Sequence, residues 1–127
     1  MSSVLNAIRG TLEVMKQDVT VPMEGVYYGA CQEEKLDRWN YFVFNRKKTG
    51  KASNKRDIQT YYNIHIIHED YIPEGYVERV IKELESMEEV KVRTTDDDIE
   101  YNYVFKGNSN MVVEIATITV FRPEKGC

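Results

Sequence analysis

Residues 58–68, Ile-Gln-Thr-Tyr-Tyr-Asn-Ile-His-Ile-Ile-His, alternate apolar or aromatic side chains with more polar ones along most of their length. One set of alternate positions is apolar and contains Ile58, Tyr62, Ile64 and Ile66. The other set is more polar and contains Gln59, Asn63 and His65. Because successive side chains of a strand point to opposite faces, this pattern predicts a strand with one buried face.

A sharp turn and a helix are predicted directly after this strand. Residues 69–73, Glu-Asp-Tyr-Ile-Pro, end the strand because proline cannot donate a hydrogen bond to a β-ladder. Apolar side chains then recur at spacings of three and four, which indicates an amphipathic helix over residues 76–87. They are Val77, Val80, Ile81, Leu84 and Met87. The strand and the helix each need to bury one face, so residues 57–87 are predicted to form the core.

The rest of the chain predicts one more helix and five more strands. The helix covers residues 2–16, where Ser2 and Ser3 can cap its start. Its apolar stripe consists of Val4, Leu5, Ile8, Leu12 and Met15. The strands are predicted at 25–31, 39–45, 90–93, 99–105 and 111–121.

The resulting order is helix, three strands, helix, three strands. It predicts an α+β fold with a mixed or mostly antiparallel sheet of about five to six strands and two helices packed on one face. The chain has 127 residues, close to the commonest domain size, and shows no shift in composition. Residues 1–127 are therefore predicted to form a single domain.

Composition and charge exclude several classes of protein. The hydrophobic fraction of 42% and the charged fraction of 30% favour a soluble globular protein over a disordered one. A net charge of -4 argues against a general affinity for nucleic acid. We expect no signal peptide and no membrane span, since no window approaches the roughly 18 apolar residues that a span requires. The 2 cysteines cannot build a disulfide framework, which suggests a reducing cytoplasm as the place of folding.

No arrangement of residues predicts catalysis or a cofactor. His65 and His68 lie three apart in one strand, so they point to opposite faces and cannot share a metal. Residues 96–98, Asp-Asp-Asp, lack the spaced ligands and the distal glutamate of a calcium loop. No glycine-rich phosphate loop follows a strand, and no serine or cysteine has the sequence context of a nucleophile. We therefore predict no catalytic, cofactor-binding or metal residues, and a protein that is not an enzyme.

Two clusters of opposite charge are the most unusual feature of the chain. Residues 46–56 contain six cations and no anion, and they are predicted to form a long, mobile hairpin loop. Eight carboxylates fall within residues 83–100, in the last part of the second helix and the segment that follows it. The basic loop can contact phosphates or an acidic protein surface, and a solvated charged loop remains the plainest interpretation. A basic and an acidic patch on one chain suit head-to-tail self-association, which closes into a ring if the rotation allows.

Affinity in such an assembly must come from apolar contacts, for which the strand at residues 39–44 is a candidate because it is apolar on both faces. The interface residues predicted from these patterns come from that strand and from the two charged clusters. They are Trp39, Tyr41, Arg46, Lys47, Lys48, Lys51, Lys55, Arg56, Glu88, Glu89, Asp96, Asp97 and Asp98.

The layout of the whole chain resembles the tail terminator proteins of long-tailed bacteriophages of the lambda type. The resemblance is carried by a first helix, by a strand that ends in a long insertion, and by the strand Tyr-Tyr-Asn-Ile-His-Ile-Ile-His that follows it. It continues with a proline-containing link to the second helix, an acidic Asp-Asp-Asp before an aromatic strand, and a last strand rich in β-branched residues. These segments are residues 2–16, 39–56, 61–68, 76–87, 96–98 and 113–120.

The resemblance implies a structural protein of the virion tail, assembled in the host cytoplasm. Such proteins form a homo-oligomeric ring, a hexamer, that caps the tail tube and then joins the tail to the head. The implied partners are the tail tube protein and a head-completion or connector protein, with DNA only as passing cargo and with no cofactor. A basic loop that lined the channel would bind the passing DNA, so the resemblance assigns this loop no role. The alternative is a small interaction or nucleic-acid-binding module that uses residues 46–56.

Overall fold

Two helices and six strands follow one another in the predicted order in a computed structural model that describes residues 3–33, 36–51 and 58–123. The elements are α1 (Val4–Lys16), β1 (Val26–Tyr28), β2 (Tyr41–Lys51), β3 (Ile58–Glu69), α2 (Tyr76–Glu85), β4 (Arg93–Thr94), β5 (Glu100–Phe105) and β6 (Val112–Phe121). The α+β class and the mixed sheet predicted from the sequence are confirmed.

The sheet has β3 at its centre, between β2 and β6. β1 pairs in parallel with β2 at one edge, and every other pairing is antiparallel. β4 and β5 both pair with the far side of β6, one after the other along its length. Because β3 and β4 are each antiparallel to β6, they run in the same direction, and α2 is the crossover between them.

Both helices pack on one face of the sheet, as predicted. Ser3 caps α1, where its side chain accepts a hydrogen bond from the Asn6 backbone N–H at 3.0 Å. The core joins the two helices to alternate residues of β2, β3 and β6. These strand residues are Phe42, Phe44, Ile64, Ile66, Ala116, Ile118 and Val120.

The core is shorter at one end than the sequence predicts. Ile64 and Ile66 are fully buried, but Ile58 is 74% exposed. β6 pairs with β3 only as far as Tyr61. Ile58 therefore lies past the end of β6, where neither β6 nor a helix covers it. The second helix ends at Glu85, although Met87 behind it is still buried.

An ion pair joins the end of α1 to α2. The Asp18 carboxylate accepts hydrogen bonds from the Thr20 hydroxyl at 2.6 Å and from the Thr20 N–H at 2.8 Å. It also pairs with the Arg79 guanidinium, which lies over the ring of Tyr76. The hydrogen bonds from Thr20 and then from Arg79 hold the pKa of Asp18 well below its usual range.

The basic segment is not a loop along its first half, and that part of the sequence prediction is wrong. Residues 46–51 continue β2 and pair with β3, from Arg46 opposite Tyr62 to Lys51 opposite Ile58, with a bulge between Arg46 and Lys48. Cross-strand side-chain contacts support the strand here, between Lys48 and the Tyr61 ring and between the hydroxyls of Thr49 and Thr60. The rest of the predicted loop, including Lys55 and Arg56, lies outside the described residues.

Candidate interaction surfaces

A two-stranded ribbon, here named the basic arm, extends from the end of the sheet; it consists of residues 46–51 and 58–61. Every residue of its first strand is exposed. Beyond Tyr61, no third strand of the described chain flanks it. The Lys48 ammonium lies 5.0 Å from the centre of the Tyr61 ring, and the hydroxyls of Thr49 and Thr60 are 2.9 Å apart. The arm therefore presents Lys48 and Lys51 on a paired backbone.

Two of the predicted interface residues contact each other within one subunit. Lys47 Nζ lies 3.9 Å from Asp97 Oδ2, where the turn after β4 approaches the base of the arm. The side chain of Asp97 is 72% exposed, so the pair adds little stability. Lys47 and Asp97 thus contact each other within one subunit, and their part in a contact between copies stays a prediction.

A polar cleft lies beside this pair on the face of the sheet that carries no helix. His65 Nδ1 and Thr117 Oγ1 are 2.9 Å apart, and the Thr119 hydroxyl donates to Asn63 Oδ1 at 2.8 Å. Burial lowers the pKa of His65. Asp98 and Glu100 line the cleft, but within the part of the chain that the structure describes no three metal-ligating side chains come together.

The Trp39 end of the same face is covered by residues 36–40, which Glu69 holds in place. The Glu69 carboxylate accepts from the Trp39 N–H at 2.8 Å and from Lys106 Nζ at 2.6 Å. Lys106 Nζ also donates to the carbonyl of Asp37 at 2.7 Å. Trp39 and Tyr41 pack against a second, smaller apolar cluster of Val43, Ile67 and Val113. The two apolar faces of this strand are therefore largely used inside the subunit.

Replacing Glu69 with glutamine is expected to destabilise the protein by about 1–2 kcal/mol at neutral pH. Burial disfavours the charged carboxylate, but the hydrogen bonds from Lys106 and Trp39 outweigh it and lower the pKa of Glu69. A lowered pKa stabilises the fold above the unfolded pKa, and this stabilisation is lost as the pH falls through the folded pKa. Urea melts of both proteins at several pH values measure the difference. A constant difference down to pH 3 would show that ionisation of Glu69 is not its source.

An open groove of about 500 Å³, here named the acidic groove, lies between α1 on one side and the end of α2 with the segment that follows it on the other. Its floor contains the small residues Ala7, Gly10, Thr11 and Ser86. Its carboxylates are Glu83, Glu88 and Glu89. The apolar side chain of Val14 is 70% exposed at its border. No residue of the basic arm lines the acidic groove of the same chain.

The predicted interface residues within the described ranges therefore lie on several surfaces and not in one patch. Trp39 and Tyr41 lie on the helix-free face, and Arg46, Lys48 and Lys51 lie on the arm. Glu88 and Glu89 line the acidic groove, whereas Asp97 and Asp98 line the polar cleft with Lys47. Asp96 is exposed in the turn that follows β4.

The sequence prediction missed the exposure of β5. Its six residues are all exposed, among them Tyr101, Tyr103 and Phe105 at 46%, 60% and 64%. These three rings share the helix side of the sheet, because their partners in β6 include Ala116 of the core. The clean alternation of residues 99–105 indicates two faces but does not reveal whether a helix covers either one.

No family model matches the chain, and the search of curated proteins finds no match. Among the described residues, no helix is long and apolar enough to cross a membrane. The function is therefore inferred from the surfaces and from the layout of the chain.

Proposed function

We propose that this chain is the subunit of a hexameric ring that caps the tail tube of a long-tailed bacteriophage and joins the tail to the head. The layout that resembles the tail terminator proteins supports the proposal. The observation that carries it is a pair of complementary surfaces on different elements of one subunit. The basic arm projects from β2 and β3, while the acidic groove is formed by α1 and the segment after α2.

The arm of one subunit enters the groove of the next in this proposal. Because Ala7 has a small side chain and Gly10 has none, the groove of about 500 Å³ leaves room for side chains of the arm. Lys48 and Lys51 project from opposite faces of the ribbon, so one extends toward Glu83 and the other toward Glu88 when the arm lies edge-on in the groove. Because the arm and the groove are different surfaces, the contact is heterologous and generates a ring when the rotation closes.

Charge sets the register of this contact more than its strength. An exposed ion pair contributes about 0–1 kcal/mol, so a few pairs per contact do not hold free subunits together. The tail tube end supplies the remaining contacts and acts as the template for the ring. The ring then offers its outer surface to a head-completion protein, and no step needs a cofactor or a catalytic residue.

Adding the purified protein to growing tail tubes is the experiment that tests this function. Tubes are expected to stop at the length reached on addition and to show a ring at one end in negative-stain electron microscopy. A matched sample without the protein should continue to elongate. Tubes that elongate equally in both samples would overturn the proposal.

The alternative is a nucleic-acid-binding module, and the exposed cations of the basic arm favour it. Lys48 and Lys51 are solvent-exposed on a paired strand, where they are accessible to phosphates. Each phosphate contact would add a slope of about -0.9 to the dependence of log affinity on log salt. A steep slope that is lost in Lys48→Ala/Lys51→Ala, together with inactivity on tail tubes, would favour this alternative over the ring.

A further inference from the structure

We propose that β5 pairs with the β5 of a second copy of this chain, antiparallel and across a two-fold axis. This contact is separate from the arm and the groove and does not depend on the proposed ring. It would join two six-stranded sheets edge to edge into one.

The outer edge of β5 is open and unprotected. Its inner edge pairs with β6 through six consecutive residues, from Glu100 opposite Thr117 to Phe105 opposite Val112, with no bulge. In the described ranges, no strand pairs with its outer edge. Proteins usually protect such an edge with proline, lysine, a bulge or an inward charge. Residues 101–105, Tyr-Asn-Tyr-Val-Phe, contain none of these, and the charged Glu100 and Lys106 lie only at the two ends of this segment.

The side chains of β5 are complementary to themselves in one register. In an antiparallel pair, directly opposed residues share a face, so a two-fold axis can pass through Tyr103. Tyr103 then meets its own copy, and Tyr101 meets Phe105 on both sides of the axis. Aromatic pairs directly opposed across strands are favourable. This arrangement covers the three rings that β5 leaves exposed on the helix side of the sheet.

The charged residues at the two ends of the paired strands are also complementary in this register. Glu100 lies opposite Lys106 of the other copy, whose ammonium already contacts Glu69 within its own chain at 2.6 Å. The central ring is fixed before binding, because Tyr103 Oη donates to Glu114 Oε2 at 2.8 Å. The other oxygen of Glu114 accepts from the Ile72 N–H at 2.8 Å. An ordered side chain loses less conformational entropy when it binds.

Sedimentation velocity of the purified protein from roughly 1 µM to 1 mM tests the contact. A reversible monomer–dimer equilibrium is expected, since an edge contact of this small size is weak. Tyr103→Glu places two carboxylates opposite each other and should raise the Kd at least about tenfold. Phe105→Ser, which adds no charge, should also raise the Kd of the dimer.

The matched control is Val19→Glu, which changes an apolar residue that is 90% exposed and lies outside β5. This variant should dimerise like the unchanged protein. A protein that stays monomeric over the whole range would overturn the proposal, as would dimers that both β5 variants leave intact.

Disulfide formation tests the register. In a background with Cys31→Ser and Cys127→Ser, Tyr103→Cys places two thiols directly opposite each other, within the distance that a disulfide spans. It should give a covalent dimer on mild oxidation, and Asn102→Cys should not. Dimers from Asn102→Cys alone would contradict the register. These measurements need no tail tubes, so they fail or succeed independently of the capping experiment.

Discussion

Lys48→Glu/Lys51→Glu is expected to abolish the capping of tail tubes while leaving the monomer folded. Both side chains are exposed on the basic arm, away from the core. Each reversal replaces an attraction of up to about 1 kcal/mol with a repulsion of similar size, so two reversals cost up to about 4 kcal/mol per subunit contact. Every contact of a ring is affected, which multiplies the loss. Lys47 is left unchanged because it contacts Asp97 in the same subunit.

The compensating variant is Glu83→Lys/Glu88→Lys in the acidic groove. Combined with the reversed arm, it should restore capping in part, because the two charges are then exchanged rather than lost. Lys91→Glu, an exposed lysine outside the arm, is the matched control and should cap normally. Normal capping by the reversed arm would show that the arm is not the subunit contact.

Leu84→Ala is expected to lower the free energy of unfolding by about 2–5 kcal/mol. Leu84 has no exposed surface and lies in the main core, which includes residues of both helices and of β2, β3 and β6. Alanine at this position leaves a cavity that these rigid elements fill only in part. Denaturant melts measure the loss.

Val14→Ala on the exposed side of α1 is the control for Leu84→Ala, since its side chain is 70% exposed. It should change the free energy of unfolding by no more than about 0.5 kcal/mol. A loss below that value for Leu84→Ala itself would mean that α2 does not pack on the sheet as described.

Hydrophobic periodicity predicted the central part of the core, where β3 and α2 meet. The alternation in β3 and the three- and four-residue spacing in α2 each indicate a single buried face, so the two faces are expected to pack on each other. Ile64, Ile66, Val80 and Leu84 are accordingly fully buried. Ile58 breaks the pattern because alternation does not reveal where the neighbouring strand ends.

The charged and edge segments could not be predicted in the same way. Residues 46–51 resemble a loop because strand propensity mainly reflects packing on a half-buried surface, which this ribbon lacks. The contact of Lys47 with Asp97 joins residues fifty apart, so only the tertiary fold reveals it. The exposure of Tyr103 and Phe105 depends on how far the helices reach across the sheet, and no local pattern encodes that distance.

The measurement that tests the ring most directly is disulfide cross-linking between the arm and the groove. A chain with Lys51→Cys and Ser86→Cys, and with Cys31→Ser and Cys127→Ser, is oxidised on tail tubes and separated by size under denaturing conditions. A head-to-tail ring predicts a ladder of covalent species that ends at the hexamer. A mixture of the two single variants should stop at the dimer. Monomers or dimers alone from the double variant would contradict the ring.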